Sequence, residues 1–347
     1  MKILLKIFLL SFIGIIFYVG NVVFFPHEIP NNNYELIINK EESLKGVAES
    51  LKRDGLISSP EIFLSVIRLM NKDTHITAGL YVLKDSISMW DLVKKISNGK
   101  PDEILLTIID GWKIENIRNY IDNFPHIQHL TQNLSNDELK HLLNIPWPSL
   151  EGAFYPTTYY VAPNETDLEI YRSAYAMLQS KLNEVYSKRG SNVATSSPYG
   201  LLIMASLVEK ETANISDMYL ISTVFNNRLR LDMRLQTDPA VFYGLQNKKR
   251  ITREDFKIDT KYNTYLHAGL PPTPICSPSL LALKAAANPK NDSKVLYFVA
   301  VGDGRRTRFS NSFSVHSHWV ARFIEKQSNS NKVNSLKGHN FKIASNS

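Results

Sequence analysis

Ser197-Pro-Tyr-Gly-Leu-Leu-Ile-Met-Ala-Ser-Leu-Val-Glu-Lys-Glu-Thr212 is the stretch on which the reading of this chain turns. Ser197 followed by Pro198 marks a helix start, an N-cap and then a proline at the first helical position. Leu201, Leu202, Ala205 and Val208 form a buried face. Glu209 falls four residues after Ala205 and seven after Leu202, on an edge of that face. A carboxyl there is partly desolvated, and desolvation favours the protonated form that a general acid needs. Glu211 is about 200° further round, at ~100° per residue, and reads as solvent-facing. The plain alternative for Glu209 is an acidic helix end paired with a nearby Lys or Arg, because most helical glutamates lie on the surface.

The material downstream tilts the balance. Val224-Phe-Asn-Asn-Arg-Leu229 reads as a second helix carrying Asn227 and Arg228, with Leu220, Val224 and Leu231 facing inward. Gln236 and Asp238 precede Pro239 in an extended turn. Tyr262-Asn-Thr-Tyr265 and Gly269-Leu-Pro-Pro-Thr-Pro274 make stiff, aromatic-bearing loops. This density of Asn, Gln, Tyr, Thr and Pro suits a cleft that grips a sugar chain, and a buried-edge glutamate suits the proton transfer that cuts one. Each motif alone has a structural reading, as a cap, an ion pair or a loop stiffener.

Composition sets the outer limits. A chain of 347 residues with 44% hydrophobic residues has room for two domains and cores to match. The net charge of +7 favours an anionic neighbour, a membrane surface or an acidic polymer. Lys and Arg are scattered, so nucleic acid is not expected as a partner. Cys276 is the only cysteine, which excludes internal disulfides and cysteine-rich metal sites.

The N-terminus sets the expected compartment. Ile7 to Phe25 is uncharged and nearly all apolar, long enough for one span at ~1.5 Å per residue. Val22-Val-Phe-Phe-Pro26 offers no small-residue cleavage site, so the segment reads as an uncleaved anchor. Lys2 and Lys6 argue for a cytoplasmic N-terminus, with everything after Pro26 on the periplasmic or outer face. Asn31-Asn-Asn33 reads as a linker, Leu36 to Ile38 as a strand, and Ser43 to Gly55 as a capped helix. Pro60 to Met70 reads as a second helix, Ala78 to Leu83 as a returning strand, and Ser88 as the cap of a helix ending near Gly99. Residues 33–100 therefore have the βααβ pattern of a LysM-like module, for which a mere spacer is the alternative. Leu105 to Ile109, Asp110-Gly-Trp112 and the Ile114, Ile117, Ile121 spacing repeat one strand-turn-helix unit within a connecting segment, 101–164. The catalytic domain is expected at 165–326, with an amphipathic helix over Asp167–Lys188, and a disordered tail at 327–347. The fold class is α+β.

The order and wording of these phrases resemble the YceG-like (MltG) family of membrane-anchored endolytic murein transglycosylases. The matching phrases begin with Leu150-Glu-Gly-Ala-Phe-Tyr-Pro-Thr-Thr-Tyr159 and Ala205-Ser-Leu-Val-Glu-Lys-Glu-Thr212. They continue through Val224–Leu229, Leu235–Pro239, Tyr262–Tyr265, Gly269–Pro272, Leu283-Lys-Ala-Ala-Ala-Asn-Pro289 and Leu296-Tyr-Phe-Val299. The resemblance implies a lytic transglycosylase of peptidoglycan, with Glu209 as the catalytic glutamate and a LysM-like module before it. Substrate-binding residues are then expected at Asn227, Arg228, Gln236, Asp238, Tyr262, Asn263, Tyr265 and His316. It also implies association with peptidoglycan synthases, and no cofactor is expected. Two positions depart from the family. Thr307 stands where a His usually precedes the Phe that matches Phe309, with Arg306 or Arg308 as possible substitutes. Tyr155-Pro-Thr157 replaces Phe-Pro-Asp.

His316-Ser-His318 invites a metal reading, but no third ligand stands at zinc spacing and no His-Glu-x-x-His motif exists. Ordinary glycosidases need two carboxylates, whereas a lytic transglycosylase can use one. Two rivals remain: a glycan hydrolase with Asp238 or Asp217 positioning water, and a non-catalytic wall-binding scaffold.

Overall fold

The computed structural model of the chain describes residues 2–325, apart from 40–41, 73–75, 99–100, 247, 249–251, 293 and 302–306. The expected tail at 327–347, the stop at Gly99 and Arg306 lie outside the described residues. The architecture mixes α and β, in two compact units. One comprises residues 1–106, 124–130 and 158–167, and the other 107–123, 131–157 and 168–347. The segment 101–164 therefore contributes to both.

The first unit begins with α1 (Lys2–Phe24). Its stretch Ile3–Phe24 has a mean hydropathy of 2.4, long and apolar enough to cross a membrane. The helix starts earlier than the uncharged run suggests, so Lys6 lies within it rather than before it. Its far end belongs to the folded unit: Val22 and Val23 are buried in the core, and Phe24 stacks at 5.4 Å from Trp90. Residues 3–21 lie outside that core, a helical length of about 28 Å at 1.5 Å per residue.

Strand β1 (His27–Ile38) is longer than Leu36–Ile38, and the expected Asn31–Asn33 linker falls inside its range. The register with the returning strand shifts between Glu28 and Asn33, so the Asn run marks an irregularity in the ladder rather than a break. After it come α2 (Leu44–Arg53), α3 (Pro60–Leu69), β2 (Gly79–Ile87) and α4 (Met89–Ser97). Strands β1 and β2 pair antiparallel, with Leu36 opposite Tyr81. Ser43 and Ser88 cap α2 and α4 as the sequence announced, and Ser59, which it did not single out, caps α3. Ser43, Ser59 and Ser88 each accept a hydrogen bond from a main-chain N–H of the first turn. Gly55, at φ 76°, ends α2, with its N–H on the Lys52 carbonyl and that of Leu56 on the Leu51 carbonyl. Leu51, Phe63, Ile67, Leu92 and Ile96 are fully buried beneath the sheet, each contributing roughly 1.5–3 kcal/mol. Strand β3 (Ile104–Thr107) pairs with β4 (Thr158–Val161).

The second unit holds α5 (Ile114–Asp122), α6 (Asn136–Leu142), α7 (Asp167–Ser187), α8 (Pro198–Glu211), α9 (Ile215–Arg230), α10 (Asp238–Gly244) and α11 (Leu280–Ala287). A hairpin of β5 (Tyr297–Ala300) and β6 (Thr307–Ser310) and a helix over 313–325 complete it. Ile114, Ile117 and Ile121 are the buried face of α5, as their spacing predicts. Helix α8 differs from expectation. Every residue from Leu201 to Val208 is buried, Ser206 included, so it is a core helix rather than a one-faced one. Ser206 is satisfied locally, donating to the Ile203 carbonyl at 2.8 Å and accepting from the Ile275 N–H at 3.0 Å. Helix α9 is likewise buried from Ile221 to Arg228. Leu231, expected on its inner face, is 58% exposed because the helix has ended at Arg230.

Candidate active site

The core helix α8 delivers its acidic end to the surface of the unit, and chain segments far away in sequence grip it on two sides. Glu209 is half-buried, and its Oε2 accepts from the Ser279 N–H at 3.0 Å and from the Ser279 hydroxyl at 2.6 Å. Ser279 is the N-cap of α11, its hydroxyl also accepting from the Ala282 N–H at 3.1 Å. The Glu209 carboxyl therefore lies at the start of α11, held by that helix's N-cap. The Asp110-Gly111-Trp112 turn lies alongside. Gly111, at φ 75°, donates to the Ser277 carbonyl at 2.8 Å, and Ser277 returns a bond of 2.8 Å to the Trp112 carbonyl. A Cβ on Gly111 would stand 3.8 Å from the Glu209 Cγ. Partial burial, and behind it the Glu209 charge, push the Asp110 carboxyl up. A second carboxyl thus accompanies Glu209, contributed by a turn about a hundred residues upstream.

Glu211 departs from expectation. It does not face solvent: it is half-buried, and its Oε1 accepts from the Thr237 hydroxyl at 2.5 Å. Burial raises its carboxyl to about 7; the Thr237 hydrogen bond opposes the rise and the Asp238 charge adds to it. The 200° rotation separates it from Glu209 as predicted, but the side it turns to is occupied by the Leu235–Asp238 segment.

The expected sugar-binding residues divide into two groups. Asn227, Arg228 and Asn263 are buried, and their donors are engaged inside the unit. The Asn227 amide donates to the Asp292 and Val295 carbonyls, both at 2.8 Å. Arg228 donates to the carbonyls of Leu296, Arg234 and Leu235 and to Gln236 Oε1. The Asn263 amide donates to the carbonyls of Phe256 and Ile258, and its oxygen accepts from the Tyr265 N–H. These hydrogen bonds of the three residues fix the path of the main chain around them. Gln236 and Asp238 are exposed, and Tyr262, Tyr265 and His316 are half-buried. The Tyr265 hydroxyl donates to Asp238 Oδ1 at 2.6 Å, and the Tyr262 hydroxyl meets that of Thr273 at 2.8 Å. Gln236 takes a left-handed φ of 53°, its N–H held by the Thr264 carbonyl. His316 stacks on Tyr297 at 5.1 Å, with Arg228 over the same ring at 5.3 Å. Burial and then the Arg228 charge lower the His316 imidazole. Its neighbour His318 packs against Trp319, and Arg308 covers the indole at 3.8 Å. Among the described residues, no three His, Cys, Asp or Glu gather as a metal site.

Glu151 escaped the site reading although it lies in a quoted phrase. It is 1% exposed, takes the Ile114 N–H at 3.1 Å and the Tyr243 hydroxyl at 3.0 Å, and has Lys113 nearby. Burial outweighs these partners and raises its carboxyl to about 7. The ring of Tyr243 meets that of Tyr262 edge-on at 4.8 Å. Asp110 also went unread. Its signal was an Asp-Gly turn after an apolar strand, which locates a turn but not its neighbour.

Comparison with known proteins bears on this arrangement. The model of the YceG-like family matches residues 36–322. A Bacillus subtilis protein named endolytic murein transglycosylase is 28% identical, the match covering 82% of this chain and 83% of that one. A Streptococcus pneumoniae protein of the same name is 30% identical over 84% of this chain, which spans 58% of its length. A crystal structure of a YceG-like protein from Listeria monocytogenes superposes with a TM-score of 0.52 at 26% identity, covering 83% of this chain and 99% of that one.

Proposed function

We propose, from the premise that this chain belongs to the YceG-like family, that it is a lytic transglycosylase cutting the MurNAc-β-1,4-GlcNAc bonds of peptidoglycan. The observation that carries the reading is Glu209, half-buried at the emergent end of a core helix, with one oxygen held by Ser279 and the other without a hydrogen bond among the described residues. In the first step Glu209 protonates the glycosidic oxygen as the bond to the anomeric carbon breaks. The resulting carboxylate then takes the proton of the sugar's own 6-hydroxyl. The freed oxygen bonds to the anomeric carbon and closes a 1,6-anhydroMurNAc end. No water is consumed, and the nucleophile is already tethered to its target. Ser279 orients the carboxyl through both steps.

Gln236, Asp238, Tyr262, Tyr265 and His316 are the residues we assign to glycan binding, with Asn227, Arg228 and Asn263 acting through the segments they hold. The anchor, a module over 33–100 and a catalytic domain over 165–326 divide the labour. The βααβ order and its antiparallel pair support a LysM-like module that docks glycan or a partner. The apolar α1 supports single-pass anchoring in the cytoplasmic membrane, with the catalytic domain outside it. That placement suits an endolytic enzyme acting on nascent strands beside peptidoglycan synthases. Asp110 gives the hydrolase alternative its one observation, because a second carboxyl near Glu209 could activate water.

Mass analysis of products from purified strands tests the reading. Anhydro ends are expected. Reducing ends alone would establish a hydrolase, and intact strands a binding protein.

A further inference from the structure

The Glu211 side of α8 has a geometry that the chemistry at Glu209 does not use. Four residues from three elements meet there. Thr237 donates its hydroxyl to Glu211 at 2.5 Å and its N–H to the Thr264 hydroxyl at 3.0 Å. Thr264 accepts the Gln236 N–H through its carbonyl and donates to the Thr237 carbonyl at 3.3 Å. Next along the chain, Asp238 holds the hydroxyl of Tyr265 at 2.6 Å. Leu235 and Ala240 flank the turn in the same core cluster as the apolar side chains of α8, and among the described residues the side-chain hydrogen bond that ties the turn itself to the acid-bearing helix is the one from Thr237 to Glu211. We propose that Glu211 is a positioning residue, a protonation-dependent latch that sets the glycan-binding turn against the end of α8.

Burial of Glu211 gives the latch its direction, and the charges around it add to that. The ionisable groups around Glu211 are Asp238 on α10 and Tyr265 on the following loop, with Arg228 of α9 acting on Tyr265 from beyond. On its own helix Lys210 turns away, its Nζ 3.4 Å from the Gly111 carbonyl. No cation among the described residues pairs with Glu211. Protonated, Glu211 is neutral and tolerates Asp238. Ionised, it bears a charge that burial penalises most; the Thr237 hydrogen bond eases that cost and the Asp238 carboxylate adds to it. Its carboxyl sits at about 7, so the turn is held tightly on the acidic side of neutrality and loosens above it.

What is being positioned rests on the transglycosylase reading, so the test has two arms. The full chain in detergent micelles is assayed on purified glycan strands from pH 5 to 8, with Glu211→Gln, Glu211→Ala and Thr237→Val. For the parent chain KM should rise about tenfold from pH 6 to 8, a change of ~1.4 kcal/mol in binding, with kcat changing less. Glu211→Gln, which keeps an acceptor and carries no charge, should hold KM flat. Glu211→Ala and Thr237→Val should raise KM at every pH. A pH-dependent KM that persists in Glu211→Gln, or an unaltered KM in Glu211→Ala, overturns the latch. The other arm needs no activity. Hydrogen exchange at the Gln236 and Thr237 amides, corrected for intrinsic rates, should accelerate above pH 7 in the parent and not in Glu211→Gln. Equal protection in both overturns the latch. If the parent yields no anhydro ends, the transglycosylase reading fails while the exchange measurement still decides the latch.

Discussion

Glu209 and Glu211 stand two residues apart on one helix end and live in different chemistry. Glu209 is met by the N-cap of α11 and by the Asp110 turn. It is half-buried, with two donors on one oxygen. Glu211 accepts from the Thr237 hydroxyl and faces another carboxylate. Helical periodicity accounts for their separation. It does not account for what fills either side, because Ser279, Thr237 and Asp110 arrive from other parts of the chain. A Glu-Lys-Glu phrase is thus one acid presented to substrate and one embedded in the scaffold that presents it.

The sharpest way to break this contrast is substitution of each glutamate. Glu209→Gln keeps size and hydrogen bonding while removing the transferable proton. On purified strands it should lose at least ~10²–10⁴-fold in rate, since one group serves both steps. Glu211→Gln should lose less than about tenfold at pH 5, measured as release of anhydro ends. Equal losses would mean that the two sides act as one site.

Glu151 sharpens the contrast by showing what a wholly buried carboxyl does. Its ordinary value of 4.5 is raised to about 7, chiefly by burial. The folded state therefore binds more protons than the unfolded state between those values. The stability tied to Glu151 is fully present below about pH 4.5 and is lost as pH rises through about 7. The loss is on the order of 3 kcal/mol, at 1.36 kcal/mol per unit. In urea unfolding, Glu151→Gln should be flatter between pH 5 and 8 than the parent, with a residual slope of the same sign from Glu211. A parent curve that rises across this window would show that Glu151 is ionised without penalty.

What the sequence made legible follows from range. The first unit was readable almost residue by residue, because serine caps, Gly55 and the Ile and Leu spacings act within one or two turns. The βααβ order is visible without any tertiary knowledge. The strand lengths were not, since pairing with β2 extends β1 through a polar Asn run. In the second unit the elements were legible but their contents were not. Leu201–Val208 contains Ser206, which reads as a polar break until Ile275 arrives to bond it. Asn227, Arg228 and Asn263 have the composition of sugar-binding groups. Only the fold shows their donors on carbonyls from Phe256 to Leu296. Asp110 and Ser279 became site residues by proximity to Glu209, which local patterns do not encode.

Ser279→Ala tests the Glu209 side from its supporting partner. The change removes the hydroxyl that both caps α11 and holds the carboxylate, while keeping the main-chain N–H. Loss of such a cap costs ~1 kcal/mol, within a range of about 0.5–2. Thermal unfolding should register that cost. Activity should fall by roughly tenfold through poorer orientation of Glu209. Ser279→Thr, which preserves the hydroxyl, should recover most of both. An active Ser279→Ala enzyme with lowered stability would assign Ser279 to the helix alone.

The smallest effect is expected at Asp110, and it decides how far the two sides of α8 differ. If Glu209 works with the substrate's own hydroxyl, the Asp110 carboxylate is a neighbour and not a reactant. Asp110→Asn keeps the shape of the turn, whose main chain is fastened through Gly111 and Trp112 to Ser277. It removes a like charge beside Glu209, the interaction that helps to raise the Asp110 carboxyl. The pH profile should therefore shift by less than about one unit, and the rate by no more than a few-fold, as expected for one partly solvated neighbour. The product ends should remain anhydro. A hydrolase gives the opposite result, since a base that activates water cannot be replaced by an amide without a loss of ~10²-fold or more. A collapse of activity in Asp110→Asn together with reducing ends from the parent would make Asp110 and Glu209 a working pair. The Glu209 side would then hold two reactants, and the one-carboxyl mechanism would be wrong.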